Sequence, residues 1–487
     1  MCTAECETTL EGCSFFCVDL RRGVVPDILP EVFFVGKRVL RDKNGIRNRL
    51  MLVQRKGKMS MTRISALKEQ LASGGLDERL REVYGSQADL PALHARLLGL
   101  MDTYEKEFGQ DKAVRLFSGP GRTEIGGNHT DHQHGRVLAA AIDLDAVACV
   151  APNGSSVVRI RSAGYPALEV DLQDLRLHVE ERTTSAALVR GVAARISEMG
   201  YSLGGFDAVM QSTVLGGSGL SSSAAYEVLI GVIFNDLFCH RALTPVEIAQ
   251  IGQYAENVFF GKPCGLMDQL ASSVGGVVSI DFQNPAQPVV KRIDYDLAQS
   301  GYELCIIDSG ADHADLTDEY AAIPQEMRAV AQCFDKEYLR EVDPREVWND
   351  LAQVREQTGD RAVLRAIHFF ADNAYAYREA QMLEANDFHG FLEYINRSGR
   401  SSAELLQNLY CIAKPQQQAV GIAIAVARRL LDGDGAVRVH GGGFAGTVQA
   451  FVPTANMERF QAGMEAVLGK GCCHFLKIRP MGGTALV

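Results

Sequence analysis

Charged side chains and glycines lie close together in residues 118–135, which read SGPGRTEIGGNHTDHQHG. Arg122, His129 and Asp131 fall within ten residues of this segment. Glycine has no Cβ, so a glycine-rich turn lets the backbone and neighbouring charged side chains approach a small polar ligand. An apolar run, residues 137–142, follows. We therefore expect a ligand site on a glycine-rich turn in this segment.

A second glycine-rich segment, residues 215–225, reads LGGSGLSSSAA and precedes an apolar stretch that predicts a helix to about Phe238. Backbone N–H groups at such a turn, together with the partial positive charge of the helix N-terminus, are suited to bind phosphate. The hydroxyls of Ser221 to Ser223 could bind phosphate oxygens or a metal ion. The segment lacks the lysine of a P-loop and the acidic residue of the dinucleotide fingerprint. A plain helix cap is the alternative.

Asp268 lies in the segment GKPCGLMDQ, residues 261–269, between a glycine-containing turn and small residues. A carboxylate in such a place can orient a hydroxyl group or accept its proton. The alternative is an aspartate that caps the N-terminus of a helix. The sequence therefore offers Asp268 as a candidate for acid–base work.

Glu256 lies twelve residues before Asp268 on a predicted helix. Mg²⁺ is usually bound by one or two carboxylates together with phosphate oxygens, so Glu256 could bind a cation that also contacts a phosphate. The alternative is a solvent-exposed glutamate. A third glycine-rich segment, residues 441–446 (GGGFAG), predicts either a tight turn near a site or a plain β-turn.

Strands and helices are mixed along the chain without regular alternation, which favours an α+β class over a doubly wound sheet. Hydrophobic periodicity predicts the following elements, listed in chain order. They are helices over 62–108, short strands over 113–175, a helix over 184–199, a strand over 206–211, a helix over 245–260, strands over 276–310, largely helix over 317–432 and a helix over 454–468 before a last strand. We expect these elements to position the three glycine-rich segments.

The composition is that of a globular protein, and 487 residues predict more than one core. The net charge of -11 argues against broad binding to nucleic acid or to a membrane surface. No apolar run reaches the roughly 18 residues that span a bilayer. We therefore expect neither a nucleic-acid nor a membrane partner.

Residues 1–58 differ from the rest, because they contain a basic stretch and show no sustained periodicity. We expect a disordered N-terminal extension or an upstream start, with the folded chain beginning near Met59 or Met61. Twelve cysteines without a secretory signal are typical of reduced thiols in a cytoplasmic protein. A zinc site at Cys2, Cys6, Cys13 and Cys17 is the less favoured alternative.

The three glycine-rich segments and the Asp268 segment together resemble the GHMP small-molecule kinases and, within them, the galactokinases. Residues 121–132, GRTEIGGNHTDH, are similar to the galactokinase signature G-R-x-N-L-I-G-E-H-T-D-Y. Residues 217–225 are similar to G-x-G-L-S-S-S-A-A, and residues 263–269 to P-C-G-I-M-D-Q. Residues 441–446 resemble the third motif of the family. The resemblance covers roughly residues 95–487.

The resemblance implies a two-domain α+β fold of the GHMP-kinase type, with the active site in the cleft between the domains. It implies domain boundaries as follows: N-terminal helices at 59–108, an N-terminal kinase domain at 109–300 and a C-terminal kinase domain at 301–487. It also implies an ATP-dependent kinase that phosphorylates the anomeric hydroxyl of a sugar, with galactose as the leading acceptor and with Mg²⁺. The oligomeric state stays open.

The resemblance assigns a role to individual residues. Asp268 would be the catalytic aspartate, and Arg122 would stabilise it and the attacking oxygen. Ser223 and Glu256 would bind Mg²⁺. The ATP phosphates would be bound by Gly216, Gly217, Ser218, Gly219, Leu220, Ser221, Ser222 and Ser223. The sugar would be bound by Asn128, His129, Asp131, Gly265 and Tyr320.

Three positions depart from the signature: Asn128 stands in place of a glutamate, Glu124 in place of an asparagine and His132 in place of a tyrosine. The family's glutamate usually bonds the C6 hydroxyl of the sugar. An asparagine can bond that hydroxyl and also tolerates a C6 carboxylate. A kinase for galacturonate or another C6- or C2-modified sugar therefore stays open. A catalytically silent galactose sensor is the third alternative, although Arg122 and Asp268 argue against it.

Overall fold

Two β-sheets organise the described part of the chain, which is residues 61–487 of a computed structural model without residues 215, 217, 218, 312–315 and 413. The predictions for residues 1–58, including the zinc site, lie outside the described residues. The larger sheet contains β1 (Thr62–Arg63), β2 (Ala113–Gly126), β3 (Arg136–Pro152), β4 (Val157–Ser162), β5 (Leu168–Asp171), β6 (Phe206–Ser212), β7 (Val277–Asp281), β8 (Val289–Ile293) and β13 (Thr484–Ala485). The smaller sheet contains β9 (Tyr302–Asp308), β10 (Ala436–Val439), β11 (Thr447–Pro453) and β12 (Cys473–Leu476).

The larger sheet has the order β1-β2-β3-β6-β4-β5, while β13 pairs with β2, β7 with β3, and β8 with β7. Its strands pair antiparallel except for β4 and β6, which run parallel. The smaller sheet is antiparallel in the order β10-β11-β9-β12. This mixture of strands and helices confirms the α+β class.

The helices cover the sheets in chain order. They are α1 (Ile64–Ala72), α2 (Asp77–Tyr84), α3 (Leu90–Phe108), α4 (Ser185–Glu198), α5 (Ser222–Leu237), α6 (Pro245–Tyr254), α7 (Met267–Val274), α8 (Thr317–Gln332), α9 (Pro344–Asn349), α10 (Leu351–Thr358), α11 (Asp360–Glu384), α12 (Phe388–Ser401), α13 (Ala419–Leu431) and α14 (Met457–Leu468). Two π-helical segments, Ala255–Phe260 and Ser402–Leu406, extend α6 and α12. Short 3₁₀ turns are Asp131–Gln133, Val179–Glu181, Leu297–Gln299, Leu339–Glu341 and Thr454–Asn456.

Strand β3 has alternating side chains that supply two different cores, because successive residues of a strand point to opposite faces. Ala148 and Val150 pack with α4, α5 and α6 on one face. Val147 and Cys149 pack with the N-terminal helices α1 to α3 on the other face. A third core lies between the two sheets, where Leu138 of β3 meets residues of β9, β11 and α11. The larger sheet is therefore buried on both faces at its centre.

The first glycine-rich segment is mostly strand, which corrects the expectation of a turn and of short strands. Residues 118–126 belong to β2, a strand of 14 residues, and only the loop 127–135 turns. The pairing with β3 shifts register between Pro120 and Arg122 and again between Glu124 and Gly126. Proline and glycine are tolerated within a strand at such irregularities. Arg122 therefore lies on a strand, while His129 and Asp131 lie on the loop.

Gly119 and Gly121 allow α5 and the turn before it to lie directly on β2. A Cβ at Gly119 would lie 2.5 Å from the carbonyl oxygen of Ala225, and one at Gly121 would lie 2.9 Å from that of Leu220. The backbone N–H of Arg122 donates to the Leu220 carbonyl at 3.1 Å. The close approach joins the first and second glycine-rich segments.

Glu379 of α11 is fully buried, and neither carboxylate oxygen has a hydrogen-bond partner among the described residues. Its carboxylate lies over Gly126, where a Cβ would be 1.7 Å from Oε2. Burial and the nearby Asp372 raise the pKa of Glu379 well above its usual range, although Arg438 opposes the shift. Glu379 is therefore held in its neutral, protonated form.

We expect Glu379→Gln to stabilise the protein more at pH 8 than at pH 5. The folded wild type must keep a proton that the unfolded chain releases above the ordinary value of 4.5. Stability is therefore lost as pH rises through that range, by at most about 1.4 kcal/mol per pH unit. The neutral amide avoids this loss. Urea unfolding at both pH values measures the effect, and a pH-independent difference would contradict it.

None of the helices in the described ranges combines the length and the apolarity needed to cross a bilayer.

Candidate active site

Arg122 and Asp268 form a two-point ion pair between β2 and the first turn of α7. Arg122 Nε donates to Asp268 Oδ1 at 2.8 Å, and Nη2 donates to Oδ2 at 2.6 Å. The third nitrogen, Nη1, donates to the carbonyl of Gly219 in the second glycine-rich segment. Parallel N–H···O bonds of this kind fix the carboxylate in orientation as well as in position. The Asp268 side chain still keeps 30% of its surface exposed, so a ligand can reach it.

Ser221 also donates a hydrogen bond from its hydroxyl to Asp268 Oδ2. Burial favours the neutral form of Asp268, but the charge and hydrogen bonds of Arg122 and the Ser221 bond outweigh it, so the pKa of Asp268 is lowered. Asp268 is therefore an ionised carboxylate. The sequence analysis gave Ser221 only to phosphate, because the contact with Asp268 spans 47 residues of chain.

The second glycine-rich segment turns directly into the N-terminus of α5. Ser221 precedes the helix with a left-handed φ of 55°, and Gly219 also has a positive φ of 70°. Leu220 is buried, while Ser222 is exposed at the first helical position. A Cβ at Gly216 would meet no atom within 4 Å, so this residue borders open space. Gly217 and Ser218 lie outside the described residues.

Ser223 and Glu256 come together although 33 residues separate them. Ser223 Oγ donates to Glu256 Oε1 at 3.2 Å, on the side of α5 where its N-terminus begins. A hydroxyl and a carboxylate are hard oxygen donors, which is the chemistry that Mg²⁺ prefers. These two residues therefore fit a magnesium site that is completed by phosphate oxygens.

Two residues that the sequence analysis missed support Glu256 from behind. Gln269 Nε2 donates to Glu256 Oε2 at 2.9 Å and to Glu227 Oε2 at 3.0 Å. Glu227 of α5 is fully buried, and burial followed by the nearby Glu256 raises its pKa well above the usual range. The amide of Gln269 thus fixes the carboxylate of Glu256. Glutamate and glutamine within helices gave no sequence signal for this pairing.

Asp131 lies in the loop after β2, with its carboxylate against Gly265. A Cβ at Gly265 would be 2.7 Å from Asp131 Oδ2, so glycine leaves the space that the carboxylate uses. The Asp131 charge also acts on Arg122. Asp131 Oδ1 accepts from the backbone N–H of His132 at 2.9 Å. The structure therefore brings Asp131 and Gly265 together beside the Arg122–Asp268 pair.

His129 is a neutral imidazole with one nitrogen committed. Its Nε2 lies 2.9 Å from the carbonyl oxygen of Gly442, which can only accept, so Nε2 carries the proton. Burial lowers the pKa of His129 to about 3, and the nearby His132 adds to the effect. Its Nδ1 has no hydrogen-bond partner within the described ranges. This nitrogen is therefore an acceptor without a protein donor.

The third glycine-rich segment receives a donor at three successive carbonyls. Asn128 Nδ2 donates to the Gly441 oxygen at 2.7 Å, and Tyr320 Oη donates to the Gly443 oxygen at 2.7 Å. The Gly442 oxygen accepts from His129 and, at 3.1 Å, from Asn408 Nδ2. Asn408, which the sequence analysis missed, carries no motif around it. Three residues predicted to bind sugar thus meet on one loop.

His440 connects this loop to the other two segments. Its Nδ1 lies 2.9 Å from Thr447 Oγ1, and its Nε2 lies 3.1 Å from Thr123 Oγ1 on β2. A Cβ at Gly219 would be 3.3 Å from His440 Nδ1. The three glycine-rich segments are therefore in contact around one site.

Comparison with protein-family models finds two matches in the chain. The galactokinase galactose-binding signature matches residues 102–152, which include β2, its following loop and β3. The N-terminal domain of GHMP kinases matches residues 187–276, which include the second glycine-rich segment, Glu256 and Asp268. Both matches cover residues that the geometry brings together.

Similar proteins agree with these matches. Galactokinase from Streptomyces coelicolor is 28% identical over 401 residues, which cover 81% of this chain and 93% of that protein. The crystal structure of Lactococcus lactis galactokinase complexed with galactose superposes with a TM-score of 0.67 at 23% identity, covering 79% of this chain and 98% of that one.

A kinase with a different acceptor shares the fold. Streptococcus pneumoniae phosphomevalonate kinase in complex with phosphomevalonate and AMPPNP superposes with a TM-score of 0.51 at 11% identity, covering 74% of this chain and 98% of that one. The structural likenesses confirm the predicted GHMP-kinase fold, while the boundary between residues 300 and 301 stays a prediction. With the two family models and the Streptomyces relative, they establish that the chain belongs to the GHMP kinases and, within them, to the galactokinases.

Proposed function

We propose that this protein transfers the γ-phosphoryl group of ATP to the anomeric hydroxyl of galactose, which yields galactose 1-phosphate and ADP. The observation that carries the proposal is the Arg122–Asp268 pair, held beside both the phosphate-type turn before α5 and the galactose-binding signature. The relatives named galactokinase support galactose as the acceptor.

Asp268 is proposed to accept a hydrogen bond from the anomeric hydroxyl and to direct its oxygen at the γ-phosphorus. The new O–P bond forms while the bond from the γ-phosphorus to the β,γ-bridging oxygen breaks, and ADP leaves. The lowered pKa makes Asp268 a weak base. The hydroxyl therefore keeps its proton until its oxygen is largely bonded to phosphorus, when it has become acidic enough to pass the proton to Asp268.

The turn Gly216 to Ser223 is proposed to bind the ATP phosphates. Its support is the N-terminus of α5, where free N–H groups and the helix dipole favour negative charge. Arg122 is proposed to stabilise Asp268 and the attacking oxygen, since it contacts both that carboxylate and the Gly219 carbonyl. Gly217 and Ser218 are included by sequence alone.

Ser223 and Glu256 are proposed to bind Mg²⁺, supported by their shared hydrogen bond and by the amide of Gln269 behind Glu256. When bound, Mg²⁺ neutralises charge on the phosphates. On the sugar side we propose His129, Asp131, Gly265 and Tyr320. The unpartnered Nδ1 of His129 supports its role, because it can accept from a sugar hydroxyl.

A cytoplasmic location is proposed on the chemistry of the cysteines. The eight cysteines in the described ranges are all free thiols, as is usual in a reducing compartment. The absence of nucleic-acid and membrane partners stays a prediction from the net charge.

The pH profile tests the role of Arg122. In the wild type, loss of kcat/KM through protonation of Asp268 is expected only below the ordinary aspartate value of 3.8, because its pKa is lowered. In Arg122→Gln the buried carboxylate has lost its opposite charge, so its pKa rises and the acid loss moves to higher pH. Arg81→Gln, at an exposed arginine, is the control. Identical acid limbs in both variants would contradict the role.

Sugar-dependent release of ADP tests the proposed function. We expect turnover with galactose, ATP and Mg²⁺ that exceeds turnover with galacturonate, N-acetylgalactosamine, arabinose and glucose. Turnover confined to another sugar would move the acceptor to that sugar. Binding of galactose without ADP release would support the silent sensor instead.

A further inference from the structure

The side-chain amide of Asn128 is fully buried, and each of its hydrogen-bonding positions is filled by protein. Nδ2 donates to Glu124 Oε1 at 3.1 Å and to the Gly441 carbonyl at 2.7 Å. Oδ1 accepts from Asn408 Nδ2 at 2.8 Å and from Ser402 Oγ at 3.3 Å. A primary amide has two N–H groups and two lone pairs. A sugar hydroxyl therefore finds no free position on this group.

The backbone of Asn128 is held as firmly as its side chain. Its N–H donates to Asp372 Oδ2 at 2.6 Å, and its carbonyl oxygen lies 2.9 Å from His368 Nε2. Both partners belong to α11 and are fully buried. Asn128 is therefore fixed to α11 on one side and to the third glycine-rich segment on the other.

Glu124 and Asn128 form a matched pair. Glu124 Oε1 accepts from Asn128 and, at 2.7 Å, from Nη2 of the buried Arg438. A carboxylate at position 128 would lie beside the carboxylates of Glu124 and Asp372 and could not donate to Gly441. In the galactokinase signature, the asparagine and the glutamate occupy these two positions in the opposite order. The amide and the carboxylate have thus been exchanged across one hydrogen bond.

Gly441 transmits the position of Asn128 to the proposed sugar site. The next two carbonyls along the chain, at Gly442 and Gly443, accept from His129 and Tyr320. A Cβ at Gly442 would be 2.6 Å from the Tyr320 ring, so this loop has no room to shift toward α8. Loss of the Gly441 contact therefore disturbs His129 and Tyr320 together.

We propose that Asn128, paired with Glu124, is a positioning residue that acts on the sugar through Gly441 to Gly443 rather than by contact with the C6 group. The inference rests on the proposed sugar-kinase function. It differs from the C6 contact that the signature implies for this position. Selection at C6 then belongs to accessible groups such as His132, whose side chain is 43% exposed.

The test uses Asn128→Asp, Glu124→Gln and the double variant of both. Asn128→Asp removes the donor to Gly441 and places a second carboxylate beside Glu124. The double variant restores one amide and one carboxylate with unchanged side-chain lengths, so it relieves the repulsion but still lacks the donor to Gly441. kcat/KM is measured for galactose and 6-deoxygalactose, and the melting temperature is measured for each protein.

Asn128→Asp is expected to lower kcat/KM at least about tenfold for both sugars, because a buried carbonyl loses its donor. The ratio between the two sugars should stay within about twofold of wild type, as both share the same disturbed loop. In the double variant the melting temperature should return to that of Glu124→Gln, while kcat/KM stays low. A merely structural role would restore both together.

Two results would overturn the positioning role. A change of the sugar ratio by more than about fivefold would mean that Asn128 contacts the C6 hydroxyl. Recovery of kcat/KM in the double variant would mean that the Gly441 contact is irrelevant. If the wild type phosphorylates neither sugar, the kinase proposal fails separately. Calorimetric binding constants for the same two sugars then decide the positioning role by the same ratios.

Discussion

Replacement of Asp268 with asparagine is expected to lower kcat at least about a hundredfold, the range for loss of a positioned acid–base group. The amide cannot accept the hydroxyl proton. It also leaves Arg122 without the carboxylate that it contacts at 2.8 and 2.6 Å. Steady-state ADP release at saturating galactose and ATP measures the effect.

Asp350→Asn is the matched control for this substitution, because Asp350 is exposed at the start of α10 and its side chain makes no cap hydrogen bond. The control should keep wild-type turnover. Both variants should show wild-type circular dichroism. Near-normal turnover in a folded Asp268→Asn protein would remove Asp268 from the chemistry.

Glu256→Gln is expected to raise the Mg²⁺ concentration for half-maximal turnover at least about tenfold. The amide keeps the shape of the side chain but loses the negative charge that a hard cation prefers. Ser223 and Gln269 still surround the position. Titration of turnover with MgCl₂ at fixed ATP measures the change.

Glu356→Gln, at an exposed glutamate of α10, is the control for the loss of one negative charge. It should leave the Mg²⁺ titration unchanged. If Glu256→Gln gives the same titration as this control, Glu256 is not a ligand of the cation. In that case the Ser223–Glu256 contact only joins α5 to the π-helical segment.

Local periodicity predicted much of the fold. The helices at 184–199 and 245–260 and the strand at 206–211 were found at the predicted places, because their apolar residues follow one repeat over many positions. The segment 118–126 was expected to turn, since glycine and proline are typical of turns. It is a strand because pairing with β3 extends past its irregularities and buries both faces.

The candidate site was predictable where its residues lie in short motifs. Arg122 and Asp268 were named from the sequence, and they are in contact across 146 residues of chain. The supporting residues were not predictable. Asn408, Gln269 and Arg438 are isolated polar residues whose partners lie far away in sequence, so a single chain gives no sign that they are buried.

The position of the phosphate in the product tests the central claim most directly. The purified protein is incubated with galactose, ATP and Mg²⁺, and the product is examined by proton and phosphorus NMR. The account predicts one sugar phosphate in which phosphorus couples to the anomeric proton at C1. A phosphate on C6, or ADP formed without any sugar phosphate, would contradict it.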